Sequence, residues 1–315
     1  MTAASAMGTA PGRALSPEQL RQLSVRSDRP GLIRAGVHVG AVIVAGALIW
    51  AVVVRFGILA ALPLMIVQGV LVAFLFMPLH ECAHKTVFRS RLANVVLGQL
   101  CGFLILLPYE YYTLFHWDHH RFTQDPERDP ELLTAVRTNS DARLAIAYTG
   151  VCQVLRRTKL FLGHGVRGTV EAPWIAPNKR ELVVREARLY ALGYAALLLL
   201  SIAHHTAILL WVWLLPLFIG QLFLRPYLYA EHVGCGHARS AFENTRTTRT
   251  AAVVRWLAWN MPYHAEHHAY PSVPFHTLPK LNELVGERVL HVGPSYRSVT
   301  RETWRWFRQA RRGTA

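Results

Sequence analysis

Cysteine is scarce in this 315-residue chain: Cys82, Cys101, Cys152 and Cys235 are the whole set. They form no C-x-x-C pair and none falls in an expected outer loop, so the sequence offers neither a disulfide framework nor a zinc ribbon. Acidic residues are also few, 19 Asp and Glu against 34 Lys and Arg, which leaves a formal net charge of +15. There is no internal repeat, Gly-rich phosphate loop or dinucleotide fingerprint. An H-P-G-G haem signature and a four-cysteine iron–sulfur spacing are missing too. These absences exclude a bound nucleotide cofactor and a fused electron carrier. No cleavable leader is expected, because the first 36 residues are polar and the apolar run behind them carries no cleavage pattern.

What is abundant is apolar sequence, 52% of residues. Residues 37–80 are almost continuously apolar, about twice the ~20 residues one spanning helix needs. Arg55 and Gly57 interrupt the run and divide it into helices at about 36–54 and 58–79. A second double run covers about 187–203 and 206–224, with His204-His205-Thr206 at its tip. One such hairpin fits the core of a soluble protein; two of membrane length do not. The expected fold is an all-α integral membrane protein with two transmembrane hairpins, hence four spans. Trp50, Trp211 and Trp213, near span ends, read as interfacial anchors.

Histidine carries the chemistry. Eight fall in three five-residue windows: His80-Glu81-Cys82-Ala83-His84, His116-Trp117-Asp118-His119-His120 and His264-Ala265-Glu266-His267-His268. On a helix, residues three and four apart share a face, so each window aims its histidines in one direction. A lone H-x-x-x-H is an ordinary core pair, but three such clusters beside apolar spans are not. Neutral imidazole binds iron, copper or zinc, and eight exceed one ion's needs while suiting a two-metal centre. His38, His164, His276 and His291 are isolated and carry little weight.

Charge orients the chain. Arg55 is the only Lys or Arg placed in an outer loop, which by the positive-inside rule makes both termini and the long middle segment cytoplasmic. All three histidine windows then share that side. Residues 92–108 are apolar, but a single crossing there would separate the second window from the first. With 17 residues including Asn94, Gln99 and Pro108, the segment reads as a re-entrant or interfacial helix.

The chain divides accordingly: residues 1–34 form a cytoplasmic tail and interfacial helix, 35–285 the membrane domain with a cytoplasmic helical cap, and 286–315 a basic tail. Met1–Ala14 reads as disordered, and Ser16-Pro17 as a helix start. In the C-terminal tail, Arg301, Arg305, Arg308, Arg311 and Arg312 interleave with Trp304, Trp306 and Phe307 as a basic amphipathic helix. In a soluble chain such charge would suggest nucleic acid. Here it tracks the membrane face, where anionic lipid headgroups attract it, and nucleic acid is not an expected partner.

The pattern H-x-x-x-H, H-x-x-H-H, H-x-x-H-H, spaced around two membrane hairpins, resembles the membrane fatty acid desaturases, a superfamily that includes lipid and carotenoid hydroxylases and ketolases. The resemblance covers about residues 35–285. The flanks His119-His120-Arg121-Phe122-Thr123-Gln124-Asp125-Pro126, Asn260-Met261-Pro262-Tyr263-His264, Tyr270-Pro271-Ser272-Val273-Pro274 and Leu278-Pro279 are similar to bacterial members, which implies a bacterial inner membrane. The resemblance implies a non-haem di-iron centre using O2, a lipid acyl substrate, and two electrons from a separate ferredoxin- or cytochrome-like donor on the cytoplasmic face. It also implies a ninth histidine ligand from the end of the fourth span. His232 fits that place and His237 is its rival. Glu81, Asp118, Glu231 and Glu266 stand beside the ligands, either as carboxylates for the outward ring N–H groups, a role that orients metal-bound histidines, or as ordinary cytoplasmic salt-bridge partners, with direct bridging of the metals by one of them the less favoured reading. Desaturation is the favoured reaction. A hydroxylase or ketolase on the same scaffold is the alternative, and a non-catalytic metal-binding protein the remote one.

Overall fold

The computed structural model describes residues 15–135 and 138–313; the stretch Met1–Ala14, expected from sequence to be disordered, lies outside them. Ser16 starts the first helix, α1 (Pro17–Leu23), by a reciprocal capping box with Gln19. Then come α2 (Asp28–Phe56), α3 (Ile58–Ala73), α4 (Phe76–His84), α5 (Arg91–Leu104) and α6 (Tyr109–Phe122). The middle segment holds α7 (Pro130–Leu133), α8 (Asp141–Tyr148) and α9 (Val151–Arg167), before α10 (Arg180–Ala203) and α11 (Leu215–His232). The last part contains α12 (Ala241–Asn244), β1 (Arg246–Thr248), α13 (Ala252–Leu257), α14 (His264–Ala269), α15 (Leu278–Val285), β2 (His291–Gly293) and α16 (Tyr296–Ala310).

Four helical stretches are long and apolar enough to cross a membrane: Asp28–Phe56, Ile58–His84, Pro177–Ala203 and Leu210–His232. They outrun the sequence estimates at the ends carrying His80, His84 and His232, because the helical hydrogen bonding continues past the apolar run. Gly57, at φ +83°, reverses the chain between the first two. Leu48 and Val54 on α2 and Leu198, Leu199 and Ile202 on α10 stand exposed, an apolar perimeter that water does not favour. The middle pair, α3 and α11, cross backbone to backbone. A Cβ on Gly69 would lie 2.5 Å from the Pro216 carbonyl, and one on Gly220 would run into the Gly69 carbonyl. Small residues let membrane helices approach this closely.

The apolar segment at 92–108 does not run as one helix. The α5 helix stops at Leu104, Leu106 takes φ +57°, and Pro108 opens α6 at 101° to α5. Trp213, partly buried, donates from Nε1 to the Leu104 carbonyl at 2.7 Å, so the fourth span grips the end of α5. The molecule is mostly helical but departs from an all-helical expectation at one place. Strands β1 and β2 pair in parallel, Arg246 opposite His291 through Thr248 opposite Gly293. That pairing and α16 bring the chain after residue 290 back onto the fold. The aromatic face of α16 rests on protein: Tyr296 stacks on Tyr227, Phe307 meets Tyr229, and Thr303 shares a 2.6 Å hydrogen bond with Tyr148.

Candidate metal centre

Each histidine window sits where helical geometry aims it at a common point. His80 and His84 are one turn apart on the last turn of α4, and His116, His119 and His120 occupy the last two turns of α6. His264, His267 and His268 form half of the short α14, and His232 is the final residue of α11. All nine side chains meet. Ligand atoms of His80, His84, His116, His120 and His267 lie within 4.8 Å of one another, as do those of His119, His232 and His268 in a second group. His264 joins the second group through His232, their Nε2 atoms 3.1 Å apart. The two groups touch where His120 and His268 stack, ring centroids 3.9 Å apart.

These nitrogens cannot satisfy one another. His84 Nε2 stands 2.8 Å from His116 Nε2 and 3.2 Å from His267 Nε2, and His116 Nε2 is 3.0 Å from His120 Nε2. Each nitrogen offers one proton or one lone pair, so at most two of these three contacts can be hydrogen bonds. His232 Nε2 faces both His119 at 3.3 Å and His264 at 3.1 Å, with the same conflict. Both ring nitrogens of His80 and the Nε2 of His268 are buried without a hydrogen-bond partner among the described residues, an arrangement costing about 1–3 kcal/mol per group. Two nitrogens bound to one cation at about 2.1 Å sit roughly 3.0–3.4 Å apart, matching the observed spacings. The donor set fits metal. Burial, then the charges of neighbouring imidazoles, holds His264, His267 and His268 well below the ordinary histidine range, which favours the neutral, metal-binding form.

The outward nitrogens show which carboxylates serve the centre. Asp129, fully buried, accepts from His119 Nδ1 at 2.9 Å and from the backbone N–H groups of Gln124 and Glu131, both at 2.8 Å. Burial opposes its ionisation, but the His119 bond and charge and the two backbone donors outweigh that and hold its carboxyl below the usual range. Sequence reading missed Asp129. Of the four carboxylates it singled out, Glu231 alone faces a ring nitrogen, with Oε1 3.5 Å from His264 Nδ1.

Glu81 instead accepts from Thr86 Oγ1 at 2.6 Å and from the Phe275 N–H at 3.3 Å. Glu266 accepts from Thr247 and Asn282, and its carboxyl is raised by burial in spite of those bonds. Asp118 lies half-buried on the flank of α6, within reach of the Arg121 charge. His237 donates from Nδ1 to the Gln124 carbonyl at 2.8 Å and lies outside both groups. His38 is a core residue: its Nδ1 accepts from Trp259 Nε1 at 3.3 Å and its Nε2 donates to the Leu71 carbonyl at 2.9 Å. His204 and His205 are exposed at the break before the fourth span.

Four apolar helices and a buried histidine cluster able to hold metal define a membrane metalloprotein. The chain belongs to the fatty acid desaturase family, whose sequence pattern matches residues 56–300 and so takes in all nine histidines. It is 24% identical over 71% of its length to a fatty acid desaturase of Bacillus subtilis, covering 68% of that protein. It is 26% identical to the acyl-lipid omega-3 desaturase (cytochrome b5) of the Arabidopsis thaliana endoplasmic reticulum, over 67% of this chain and 60% of that one. It is also 26% identical to the sphingolipid delta(4)-desaturase DES1 of Drosophila melanogaster, over 70% and 64%. The match thus spans about three fifths to two thirds of those relatives. Family membership makes the chain an oxidoreductase with a metal cofactor.

Proposed function

We propose that this protein is an O2-dependent membrane desaturase that introduces a C=C double bond into a lipid acyl chain. In this reading two iron ions are held by His80, His84, His116, His119, His120, His232, His264, His267 and His268. The observation that carries it is the convergence of these nine imidazoles, in two groups, at the ends of apolar helices in a desaturase-family chain.

Bound iron would supply the O2 activation that an unactivated C–H bond requires, with two electrons from a separate ferredoxin- or cytochrome-like donor. The protein's own part is placement. Asp129 takes the Nδ1–H of His119 and so turns Nε2 inward. His232 is oriented in the same way by the Asn244 carbonyl, 3.4 Å from its Nδ1. Phe76 and Tyr112 cover His80 and His116, with Tyr112 stacked 5.2 Å from the His116 ring, and keep water from that side. A neutral imidazole set leaves most of the cations' charge available, and an acyl chain, itself apolar, enters from the bilayer.

The positive-inside pattern supports a cytoplasmic centre, since Arg55 is the one Lys or Arg at the far ends of the four spans, and the resemblance of the histidine flanks to bacterial members favours a bacterial inner membrane. Leu92, Val96 and Leu100 make an exposed apolar stripe on α5, which supports a re-entrant or interfacial seat for that helix. The test is lipid mass spectrometry of a host expressing the chain, with a His264→Ala/His268→Ala double variant as control. Loss of two hydrogens from an acyl species in the wild type alone is the expected result. Gain of one oxygen would make the protein a hydroxylase, and gain of one oxygen with loss of two hydrogens a ketolase. Retained iron without O2-dependent turnover, when a reducing donor is supplied, would make it a metal-binding protein and overturn the enzyme reading.

A further inference from the structure

His119 is flanked by carboxylates at both ring nitrogens. Asp129 Oδ1 lies 2.9 Å from Nδ1. Glu131 Oε2 lies 3.5 Å from Nε2, the same nitrogen that stands 3.3 Å from His232 Nε2. A neutral imidazole carries a single N–H. Given to Asp129, it leaves a lone pair on Nε2 facing a carboxylate oxygen and a second imidazole nitrogen. A lone pair on His119 Nε2 is repelled by both neighbours unless a cation lies among them, and separations of 3.3 and 3.5 Å are close to those of neighbouring ligands on one metal ion at about 2.1 Å. The group concerned is also the smaller one, four imidazoles once His264 is counted with His119, His232 and His268, against five in the other.

We propose that Glu131 supplies a carboxylate oxygen to the metal held by His119, His232, His264 and His268. The proposal rests on the di-iron reading and deepens it: the two metals become unlike, one in an all-imidazole site and one in a mixed nitrogen and oxygen site. The placement of Glu131 follows from the tripeptide Asp129-Pro130-Glu131. Asp129 Oδ1 accepts the Glu131 backbone N–H at 2.8 Å while it also accepts from His119. One carboxylate therefore fixes both the ring and the backbone from which the second carboxylate reaches the ring's other side. Pro130 sets the backbone at the first position of α7. The Glu131 side chain is 42% exposed, so it reaches His119 from the rim of a histidine group that is itself buried. The competing arrangement is a protonated His119 shared between two carboxylates, with no metal at that position.

The full-length chain, purified in detergent and loaded anaerobically with ferrous iron, distinguishes these. Metal per chain, iron affinity by chelator competition, and Mössbauer spectra are compared for wild type, Glu131→Gln, Glu131→Ala and Glu131→His. In the wild type, two irons giving two separable Mössbauer components are expected. Glu131→Gln and Glu131→Ala should weaken one iron by at least about 10-fold, since even a carboxylate outside the coordination shell contributes 10–100-fold, with helical content unchanged. Glu131→His should restore the second iron with an altered spectrum. Two irons of wild-type affinity and spectrum in Glu131→Ala would overturn the proposal while leaving the di-iron reading intact. Loss of both irons from a folded Glu131→Ala would overturn the assignment to one site. A wild type that cannot bind two irons overturns the di-iron reading, and this proposal with it.

Discussion

Replacing Asp129 with Asn removes a charge while changing little in shape, and the hydrogen bonds around this side chain determine the consequence. One carboxylate oxygen accepts from His119 Nδ1 and the Glu131 N–H, and the other accepts from the Gln124 N–H at 2.8 Å. An Asn has one oxygen to offer. Placed towards His119, it keeps the imidazole orientation and the cap of α7 but sets an NH2 against the Gln124 N–H. Placed towards Gln124, it sets the NH2 against His119 Nδ1 and forces the wrong ring tautomer. Either choice leaves a buried donor unpartnered, at about 1–3 kcal/mol, and withdraws the negative charge that raises the basicity of His119. Asp129→Asn should therefore bind metal about 10–100-fold more weakly, with the melting midpoint of the metal-free protein lowered. Chelator competition against ferrous iron measures the first, and thermal unfolding in detergent the second. Metal affinity within about twofold of wild type, in a protein destabilised as expected, would refute the view that Asp129 acts through His119.

His232→Ala should strip metal from the second group, whereas His237→Ala should leave metal content unchanged, because His237 lies outside both groups; elemental analysis of the two purified variants decides it. Gly220→Ala should force α11 off α3 and cost about 1–3 kcal/mol as overpacking. Gly40→Ala, where an added Cβ meets nothing within 4 Å, should be neutral or stabilising by up to about 1 kcal/mol; a paired comparison of melting midpoints checks both. Acidification should destabilise the metal-free protein. His264, His267 and His268 have folded pKa values below those of the unfolded chain, so the unfolded state takes up protons first. Their stabilising contribution is complete above the ordinary histidine value near 6.5. It declines below that pH by at most about 1.4 kcal/mol per pH unit for each imidazole. Melting midpoints between about pH 8 and pH 5 would show the fall, and a rise on acidification would contradict it.

The histidines were legible because their signal is short-range. A spacing of three or four residues on a helix determines a face, and the structure needed only to bring four faces together. Carboxylate roles were not legible, for the same geometric reason. Residues next to each other on a helix point about 100° apart, so adjacency can put a second side chain inward, as with His119 and His120, or onto the flank, and sequence spacing alone does not say which. Asp118 precedes His119 and lies on the flank of α6; Glu231 precedes His232 and meets His264 instead. The true partner of His119 lies ten residues later, beyond a reversal in which Gln124 takes φ +63° and Asp125 anchors a turn through its bonds with Glu127 and Arg128. No periodicity predicts such a return. The bend between α5 and α6 was half visible, as an apolar run ending in Pro108, while its angle depends on contacts such as Trp213 with Leu104 that join residues 109 positions apart.

The acids of the first and third windows explain how a metal centre can rest on so short a helix as α14. Six residues do not form a stable helix alone, and three of these six are histidines aimed inward. Glu266, on the opposite face, is bonded by Thr247 of β1 and Asn282 of α15, and the Thr248 N–H donates to the Pro262 carbonyl at 2.9 Å just before the helix. Glu81 does the same for α4, reaching the backbone of Phe275 ahead of α15. The acidic residue inside each of these two histidine windows thus fastens its window to the α15 region, while the histidines beside it turn to the opposite side. Rigidity on the outer face is what allows unpartnered nitrogens to be held within about 3 Å of one another on the inner face. The same short window therefore serves both ends of the problem: acid outward to hold the helix, imidazole inward to hold the metal.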